Sequence, residues 1–533
     1  MKLRARALAS AFVLASPLWL AVPSFAERVL RLDESPIGEI DPAKATDYAD
    51  TVLMSNIYDT LVYPKAGGPG VEPLLATEWT TDGNSYTFKL KDGVKFHSGN
   101  PLTADDVVFS LNRMIAMGQG FSSLFAGRVE KAEAIDPLTV KFTLTEPYAP
   151  FLAALVRLPV VDAKTVMANK ADGKHGEFGD YGEAWMSSHD AGSGAYKVES
   201  QNPQSETVMV KFPDYFLGFA ENAPDKVRYR YGLEAPTVRA LMSRGEHDIA
   251  DLWLPPEVIR SLAAEKGIKL DTEAGGSTGE YIKLNTARAP LDDVHCRLAL
   301  TYAFDYGTTL KILTINGERA QGIPMKGPLP SGLLGYDKDL PDYKQDMDKA
   351  KEELAKCKYD PKTSPIDIAW IAEVPARERI ALLMQAQFSK LGFPVKVIKT
   401  PWALVSEQVT KPETAPHAVE IAVAAVTPDP DSLLYNMYSS KVPPTWMSAE
   451  HLKDAKVDEL LEAGRTETDQ GKRETIYKEL NKTLRDLAPA INAYEFTGVY
   501  VARDAVAIPK LEDKSKQTLD NFNLVFREMS ITE

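Results

Sequence analysis

The chain has 533 residues, with 75 acidic and 61 basic side chains, 33 glycines, 36 prolines and two cysteines. At roughly 100–200 residues per domain this length predicts about two to four domains, and 44% apolar with 26% charged residues excludes a disordered, collagenous or membrane-embedded chain. Two cysteines cannot build a disulfide-rich scaffold or a four-thiolate metal site, and a net charge of −14 disfavours nonspecific binding to nucleic acid or anionic membranes.

The N-terminus has the order of a secretory signal. Three basic residues precede an apolar stretch at 7–22, and small residues occupy Ser24 and Ala26. This order predicts a Gram-negative-type signal peptide over residues 1–26, cleaved before Glu27, and a soluble periplasmic mature protein. A membrane anchor is the alternative, although two prolines would interrupt a spanning helix.

The two cysteines, Cys296 and Cys357, would lie in an oxidising compartment after export. They could form a disulfide bond there. Two buried thiols are an equal alternative from the sequence.

Strand-like and helix-like patterns alternate along the mature chain, which predicts an α/β protein. In the first half, Ser85–Leu90 alternates between apolar and polar residues and is followed by an Asp-Gly turn. Thr103 begins a capping sequence for a helix, and residues 140–144 form another alternating strand. A glycine-rich segment at 275–279 is typical of a loop or linker near a domain crossing.

In the second half, helical stripes of apolar residues at 377–391 and 472–487 predict two amphipathic helices packed on a core. Residues 419–426 are nearly continuously apolar, as in a strand buried on both faces, and lead into a Thr-Pro-Asp-Pro-Asp turn. Because ligands gather beyond the carboxyl ends of strands in open α/β sheets, this turn is the best candidate for a site edge. Asp431 could instead simply cap the following helix.

Motifs for common chemistry are missing from the sequence. The seven histidines have no metal-ligand spacing, and neither a G-x-S-x-G elbow nor a P-loop occurs. No cofactor or metal is expected, and the chain is not expected to be an enzyme. An extracytoplasmic hydrolase that uses Asp429 and Asp431 as paired carboxylates on a sugar or peptide remains the alternative.

Residues 93–107, Gly-Val-Lys-Phe-His-Ser-Gly-Asn-Pro-Leu-Thr-Ala-Asp-Asp-Val, resemble the signature of the peptide/opine/nickel family (family 5) of solute-binding proteins for ABC importers. Shorter similarities to the family follow in chain order at 56–62, 72–76, 79, 192–196, 239–241, 245–249, 282–286, 297–300, 303–305, 348–351 and 428–431. Within the family, the chain resembles the dipeptide- and oligopeptide-binding proteins. The resemblance therefore covers essentially the whole mature chain.

The resemblance implies a two-lobed periplasmic binding protein of the type II-like, cluster C class, with an extra inserted domain in lobe I. Lobe I would combine residues 27–60, 191–286 and 500–533, the inserted domain 61–190, and lobe II 287–499. A small-molecule solute would bind between the lobes, which close by a hinge motion and dock on ABC permease subunits in the membrane. A monomer without nucleic-acid partners is expected.

One position departs from the family pattern. In peptide-binding members, an acidic residue three positions before the Asp of the D-P turn pairs with the α-amino group of the peptide, and here that position is Val426. Burying an ammonium group without a counter-ion costs several kcal/mol, unless Asp429, Glu420 or Glu373 substitutes. We therefore expect a polar solute that need not carry a free α-amine, such as an oligosaccharide, an opine or a modified peptide. A nickel chelate is less expected.

Aromatic residues at strand and loop ends are candidates for the walls of the site, because sugar rings and apolar side chains stack on them. A core position is the alternative for each. Arg377 or Arg379 could hold a carboxylate or phosphate. The predicted ligand-binding set comprises Trp253, Tyr281, Trp370, Arg377, Trp402, Val426, Thr427, Asp429 and Tyr435.

Three functions remain open from the sequence. The resemblance favours an importer binding protein over the hydrolase. The third possibility is a sensory subunit, or a chaperone-like holder of peptides.

Overall fold

The computed structural model describes residues 27–532 except 35, 274, 318 and 519–521. The predicted signal peptide, residues 1–26, lies outside the described residues. Across the part of the chain that is described, none of the helices combines the length and apolar character needed to cross a bilayer.

A seven-stranded mixed sheet, the first sheet, gathers strands from distant parts of the chain. In spatial order they are Ile268–Thr272, Val499–Arg503, Ile249–Ala250, Val29–Glu34, Lys226–Tyr231, Glu206–Lys211 and Tyr196–Asn202. The central strand Val29–Glu34 runs parallel to both of its neighbours.

A six-stranded mixed sheet, the second sheet, is built from the later part of the chain. In spatial order its strands are Gly322–Ile323, Ala490–Phe496, Thr278–Leu284, Ala418–Ala424, Ile366–Ile371 and Val395–Thr400. The predicted apolar strand at 419–426 is confirmed as Ala418–Ala424, which pairs on both sides and packs against a core on each face.

The chain crosses between the two sheets near the predicted linker. Thr278–Leu284 pairs with strands of the second sheet, whereas the predicted boundary at residue 286 placed it in lobe I. Gly275 and Gly276 have φ angles of 79° and 111°, which favour glycine, and the chain returns to the first sheet between Phe496 and Val499.

A separate four-stranded antiparallel sheet lies in the segment predicted as an insertion. Its strands are Ala76–Asp82, Ser85–Leu90, Thr139–Leu144 and Val129–Asp136, in spatial order. The predicted helix is Ala104–Met117, and Thr103 forms a capping box with Asp106. These elements share a hydrophobic core of their own around Phe88, Phe96 and Phe142.

Two hairpins and the remaining helices complete the fold. Val62–Pro64 pairs with Val71–Pro73, and Val506–Ala507 pairs with Ser530–Ile531. Besides Ala104–Met117, the α-helices are Tyr48–Ile57, Phe151–Ala154, Ala163–Ala168, Glu183–Met186, Ala235–Ser243, Pro256–Ala263, Val294–Ala303, Tyr306–Leu313, Met347–Leu354, Ala376–Lys390, Trp402–Gln408, Asp431–Tyr438, Ala455–Thr466, Gln470–Leu487 and Pro509–Glu512. The predicted amphipathic helices at 377–391 and 472–487 are confirmed as Ala376–Lys390 and Gln470–Leu487.

Cys296 and Cys357 form a disulfide bond. The bond joins the helix Val294–Ala303 to the chain that follows the helix Met347–Leu354. The alternative of two buried thiols is therefore wrong.

Candidate functional site

The turn after the strand Ala418–Ala424 lies where the second sheet meets the rest of the molecule. The backbone carbonyl of Val426 accepts a hydrogen bond from Arg157 Nε, and Arg157 belongs to the segment predicted as an insertion. Nearby, Ala149 N donates to the carbonyl of Arg465 at 2.9 Å. The sequence-predicted site edge is thus an interface between two parts of the fold.

A cavity of about 220 Å³ borders the same turn. Pro428 lines it together with Gly275 and Gly276, which lie at the crossing between the sheets. The lining from the other side comprises Pro64, Lys65, Gly67, Gly68, Pro69, Lys514, Gln517 and Thr518. The turn therefore faces a space that both halves of the molecule enclose.

Asp429 is buried and bound to a cation. Arg473 donates two hydrogen bonds to its carboxylate, at 2.6 and 2.7 Å. Asp429 Oδ1 also accepts from the backbone N–H of Asp431 at 2.9 Å, at the start of the helix Asp431–Tyr438. Asp429 thus orders this turn and the helix start, and its charge is already compensated.

Asp431 does not cap the helix with its side chain, contrary to that prediction. The N-cap residue is Pro430, and the Asp431 carboxylate accepts from Arg465 Nη2 at 3.2 Å and from the Tyr148 hydroxyl at 3.3 Å. Burial raises the pKa of Asp431, and the charge of Arg465 opposes this shift. Asp429 and Asp431 are each paired with an arginine. The two carboxylates are therefore not available as the paired acid and base of a hydrolase.

A buried acidic pair lies on the second sheet, above the start of the helix Ala376–Lys390. Arg377 Nη2 binds Glu280 Oε1 at 2.5 Å, so this arginine is already engaged by a carboxylate. Glu420 is fully buried, and the Tyr494 phenol hydrogen-bonds its carboxyl group. Burial and then the charge of Glu280 raise the pKa of Glu420 well above its usual value, and the phenol of Tyr494 lies beside it. Glu420 is the least compensated of these carboxylates.

Trp253 and Trp402 lie at partly exposed positions. The Trp253 ring, which follows the strand Ile249–Ala250 of the first sheet, stacks on Phe496 of the second sheet with centroids 4.8 Å apart. The Trp402 ring packs edge-on against Trp446 at 5.4 Å, and its backbone N–H donates to the Glu373 carboxylate at 3.0 Å. The structure thus places Trp253 at a contact between the parts of the chain that carry the two sheets, and Trp402 directly after the second-sheet strand Val395–Thr400.

Tyr281 and Trp370 lie in hydrophobic cores. Tyr281 is fully buried and its hydroxyl donates to the carbonyl of Pro328 at 2.7 Å, while Trp370 is 3% exposed. Both belong to strands with residues packed on each face, so the aromatic pattern alone did not separate core from cleft. Their ligand role stays a prediction.

Thr427 and Tyr435 also take part in local structure. The backbone N–H of Thr427 donates to Ser432 Oγ at 3.3 Å, and the Tyr435 hydroxyl donates to Glu462 at 2.9 Å. The guanidinium of Arg465 lies 3.2 Å from the centre of the Tyr435 ring. Both residues thus belong to the turn and to the helix Asp431–Tyr438 that follows it.

Arg379 forms an ion pair between the lobes, with Glu257 at 2.5 Å. Gln321 Nε2 adds hydrogen bonds of 3.1 and 3.0 Å to the carbonyls of Leu252 and Leu254. Because both side chains of the ion pair are about half exposed, it contributes at most about 1 kcal/mol to stability. These contacts hold the lobes against each other around Trp253.

Sequence reasoning missed a second cavity, of about 160 Å³, on the first-lobe side. It is lined by charged residues that include Arg157 and Lys510. An isolated charged residue in an apolar run is the sequence feature that could have indicated this cavity. Arg157 interrupts the apolar run 151–161, and Lys510 follows the apolar run 505–509. A buried charge in such a run needs a partner or a ligand.

The chain is similar to known solute-binding proteins along most of its length. The model of the middle region of bacterial extracellular solute-binding proteins, family 5, matches residues 70–444. The probable D,D-dipeptide-binding periplasmic protein DdpA of Escherichia coli K12 is 30% identical over 470 residues, which cover 86% of each chain. The dipeptide-binding protein of the same organism is 27% identical over 477 residues, covering 82% of this chain and 83% of that protein.

A solved structure shows the same fold. The ABC transporter substrate-binding protein CtaP of Listeria monocytogenes has a TM-score of 0.81 at 22% identity, over 95% of this chain and 99% of that chain. The predicted two-lobed architecture is confirmed by this likeness. Solute-binding proteins of this kind deliver their ligand to the permease subunits of ABC importers. The sequence and the two-sheet structure of this chain together place it in family 5 of the bacterial extracellular solute-binding proteins.

Proposed function

We propose that this protein captures a peptide-like, opine-like or oligosaccharide-like solute between its two lobes in the periplasm and passes it to an ABC permease. The observation that carries the proposal is the contact between Arg157 and the carbonyl of Val426, beside a cavity that residues of both lobes line. A solute at this strand-end turn would touch both lobes at once. Its binding would therefore favour the closed arrangement over the open one.

The charges around the turn narrow the class of solute. Val426 offers no counter-ion for an α-amino group, and Arg473 already compensates Asp429. Glu373 is exposed and holds the backbone of Trp402. Burial and the charge of Glu280 raise the pKa of Glu420 well above its usual value, which weakens Glu420 as a counter-ion. The relatives named above are dipeptide-binding proteins. We infer that a modified peptide without an exposed ammonium group suits this chain better than an ordinary peptide does.

Three further features belong to this proposal. Residues 1–26 act as a signal peptide that is removed on export, the segment 61–190 forms an inserted domain of lobe I, and the protein works as a monomer. Mass spectrometry of the exported protein tests the first feature, because the proposal expects an N-terminus at Glu27. An N-terminus at Met1 on the exported protein would contradict it.

A thermal-shift screen of ligand-stripped protein tests the solute class. The screen compares peptides with free and acetylated amino ends, opines, oligosaccharides and nickel chelates. A ligand at 100 times its Kd adds about 2.7 kcal/mol of stability, which is a readily measured shift. Acetylated peptides, opines or sugars should raise the melting temperature and be recovered unchanged. A shift with free-amine peptides alone, or product beyond one equivalent, would contradict the proposal.

A further inference from the structure

The 160 Å³ cavity lies within the first-lobe side of the molecule. Its walls come from the helix Tyr48–Ile57, the hairpin around Tyr63, residues 156–159 and residues 522–528. A cavity of about 150 Å³ is large enough to hold benzene. The space therefore accommodates a small organic group rather than a single water.

Lys510 brings a poorly compensated charge to this cavity. Its side chain is 9% exposed, Nζ lies 4.7 Å from the centre of the Tyr63 ring, and it makes no hydrogen bond or ion pair with a described residue. Burial lowers the pKa of Lys510, while the charges of Glu528 and Glu72 oppose that shift. A buried ammonium group in this state gains from an added hydrogen-bond acceptor.

The carboxylates near the cavity are engaged elsewhere or exposed. Asp59 accepts hydrogen bonds from Ser193 Oγ at 2.8 Å and from the Tyr215 hydroxyl at 2.9 Å. Glu528 binds Arg527 at 2.5 Å, and Glu72 is exposed at the rim. The lining thus offers cationic side chains to a ligand. Of the three carboxylates described here, none is both buried and without a partner.

Arg157 places the cavity next to the contact between the lobes. Its guanidinium lies 4.9 Å from the Phe121 ring centre and 4.7 Å from that of Phe522, and it is 3% exposed. The same side chain donates to the carbonyl of Val426. The apolar surface of these rings can pack against the apolar body of an organic anion whose carboxylate meets a cationic side chain.

We infer that this cavity binds the carboxylate of a small organic anion, with Lys510 as its cationic partner. The carboxylate could belong to the captured solute, reaching past Arg157, or to a separate small anion. A carboxylate of the captured solute rests on the proposed function, whereas a separate small anion does not.

Calorimetric titration of the stripped, exported protein with acetate, butyrate and benzoate tests the inference. Acetamide and benzamide serve as neutral controls. The Lys510→Met variant keeps the apolar stem over Tyr63 without the charge, and Lys516→Met removes an exposed charge close by in the sequence. We expect saturable carboxylate binding to the wild type and to K516M, at least tenfold weaker binding to K510M, and no binding of the amides.

Absence of saturable binding to the wild type, or equal binding to K510M, would overturn the inference. If K510M does not fold, Lys510→Gln replaces it, and the wild-type titration remains decisive by itself. Competition separates the two sources, because a solute whose own carboxylate fills the cavity excludes benzoate, whereas a separate anion binds together with the solute. A failure of the proposed function would give a different result: no solute would bind to any variant, although benzoate would still bind.

Discussion

Asp429 is a buried carboxylate whose main contacts are to Arg473 and to the start of the following helix. Removing one partner of a buried ion pair leaves the other charge uncompensated, at a cost of about 3–5 kcal/mol. Asp429→Asn should lower the unfolding free energy in urea by that amount. The matched control is Asp348→Asn, which removes an almost fully exposed carboxylate and should change stability by less than about 1 kcal/mol. Equal, small effects of both changes would contradict a structural role for Asp429.

Val426 is the residue on which the solute class depends. Its side chain is half-buried at the turn, while Arg157 binds only its backbone carbonyl, so a substitution leaves that hydrogen bond possible. Val426→Asp should raise the affinity for a peptide with a free amino end at least tenfold relative to its acetylated form. Val426→Asn, which has similar size and no charge, should not. A titration that finds the same ratio for both variants would show that the amino end binds elsewhere.

Asp50 gives stability a pH dependence. Its Oδ1 accepts the backbone N–H groups of Gly38 and Glu39, and burial raises its pKa to about 6 from an unfolded value near 3.8. A raised carboxyl pKa stabilises the fold fully below pH 4, and this stability is lost as the pH rises to about 6. Asp50→Asn keeps the acceptor and removes the titration. The unfolding free energy of Asp50→Asn relative to wild type should therefore rise by on the order of 2 kcal/mol from pH 4 to pH 7. A constant difference for Asp50→Asn would contradict the shift.

At the scale of elements, the apolar pattern of the sequence predicted those strands and helices whose apolar residues recur at a local period. The strand Ala418–Ala424 and the helices Ala376–Lys390 and Gln470–Leu487 follow from apolar runs and stripes. The sheet that Thr278–Leu284 joins depends on pairing with strands more than 130 residues away, which no local pattern encodes. The same limit applies to the site, because Tyr281 and Trp370 are enclosed by side chains from distant elements.

The disulfide bond stabilises the pairing of two helices in the second lobe. It joins residues separated by 61 positions, and closing a loop of that length in the unfolded chain contributes roughly 4 kcal/mol. The double variant Cys296→Ala with Cys357→Ala should therefore unfold at a lower temperature than the wild type in non-reducing buffer. With a strong reductant present the two melting temperatures should approach each other. Identical melting temperatures without reductant would contradict a stabilising bond.

In the molecule as a whole, two lobes meet around one turn. Contacts at Arg157, Trp253 and Arg379 already join them, and a cavity beside Pro428 is lined from both sides. Each of these contacts contributes little free energy. The binding energy of a solute can therefore shift the equilibrium between the closed and the open arrangement. Opening and closing around the crossing at Gly275 and Gly276 is the motion that this arrangement allows.

Small-angle X-ray scattering of the stripped protein, before and after saturation with the solute found in the screen, tests this claim most directly. We expect a smaller radius of gyration with solute bound, a return to the larger value when the solute is removed, and the mass of a monomer in both states. An unchanged radius of gyration at saturation would contradict capture by closure of the two lobes.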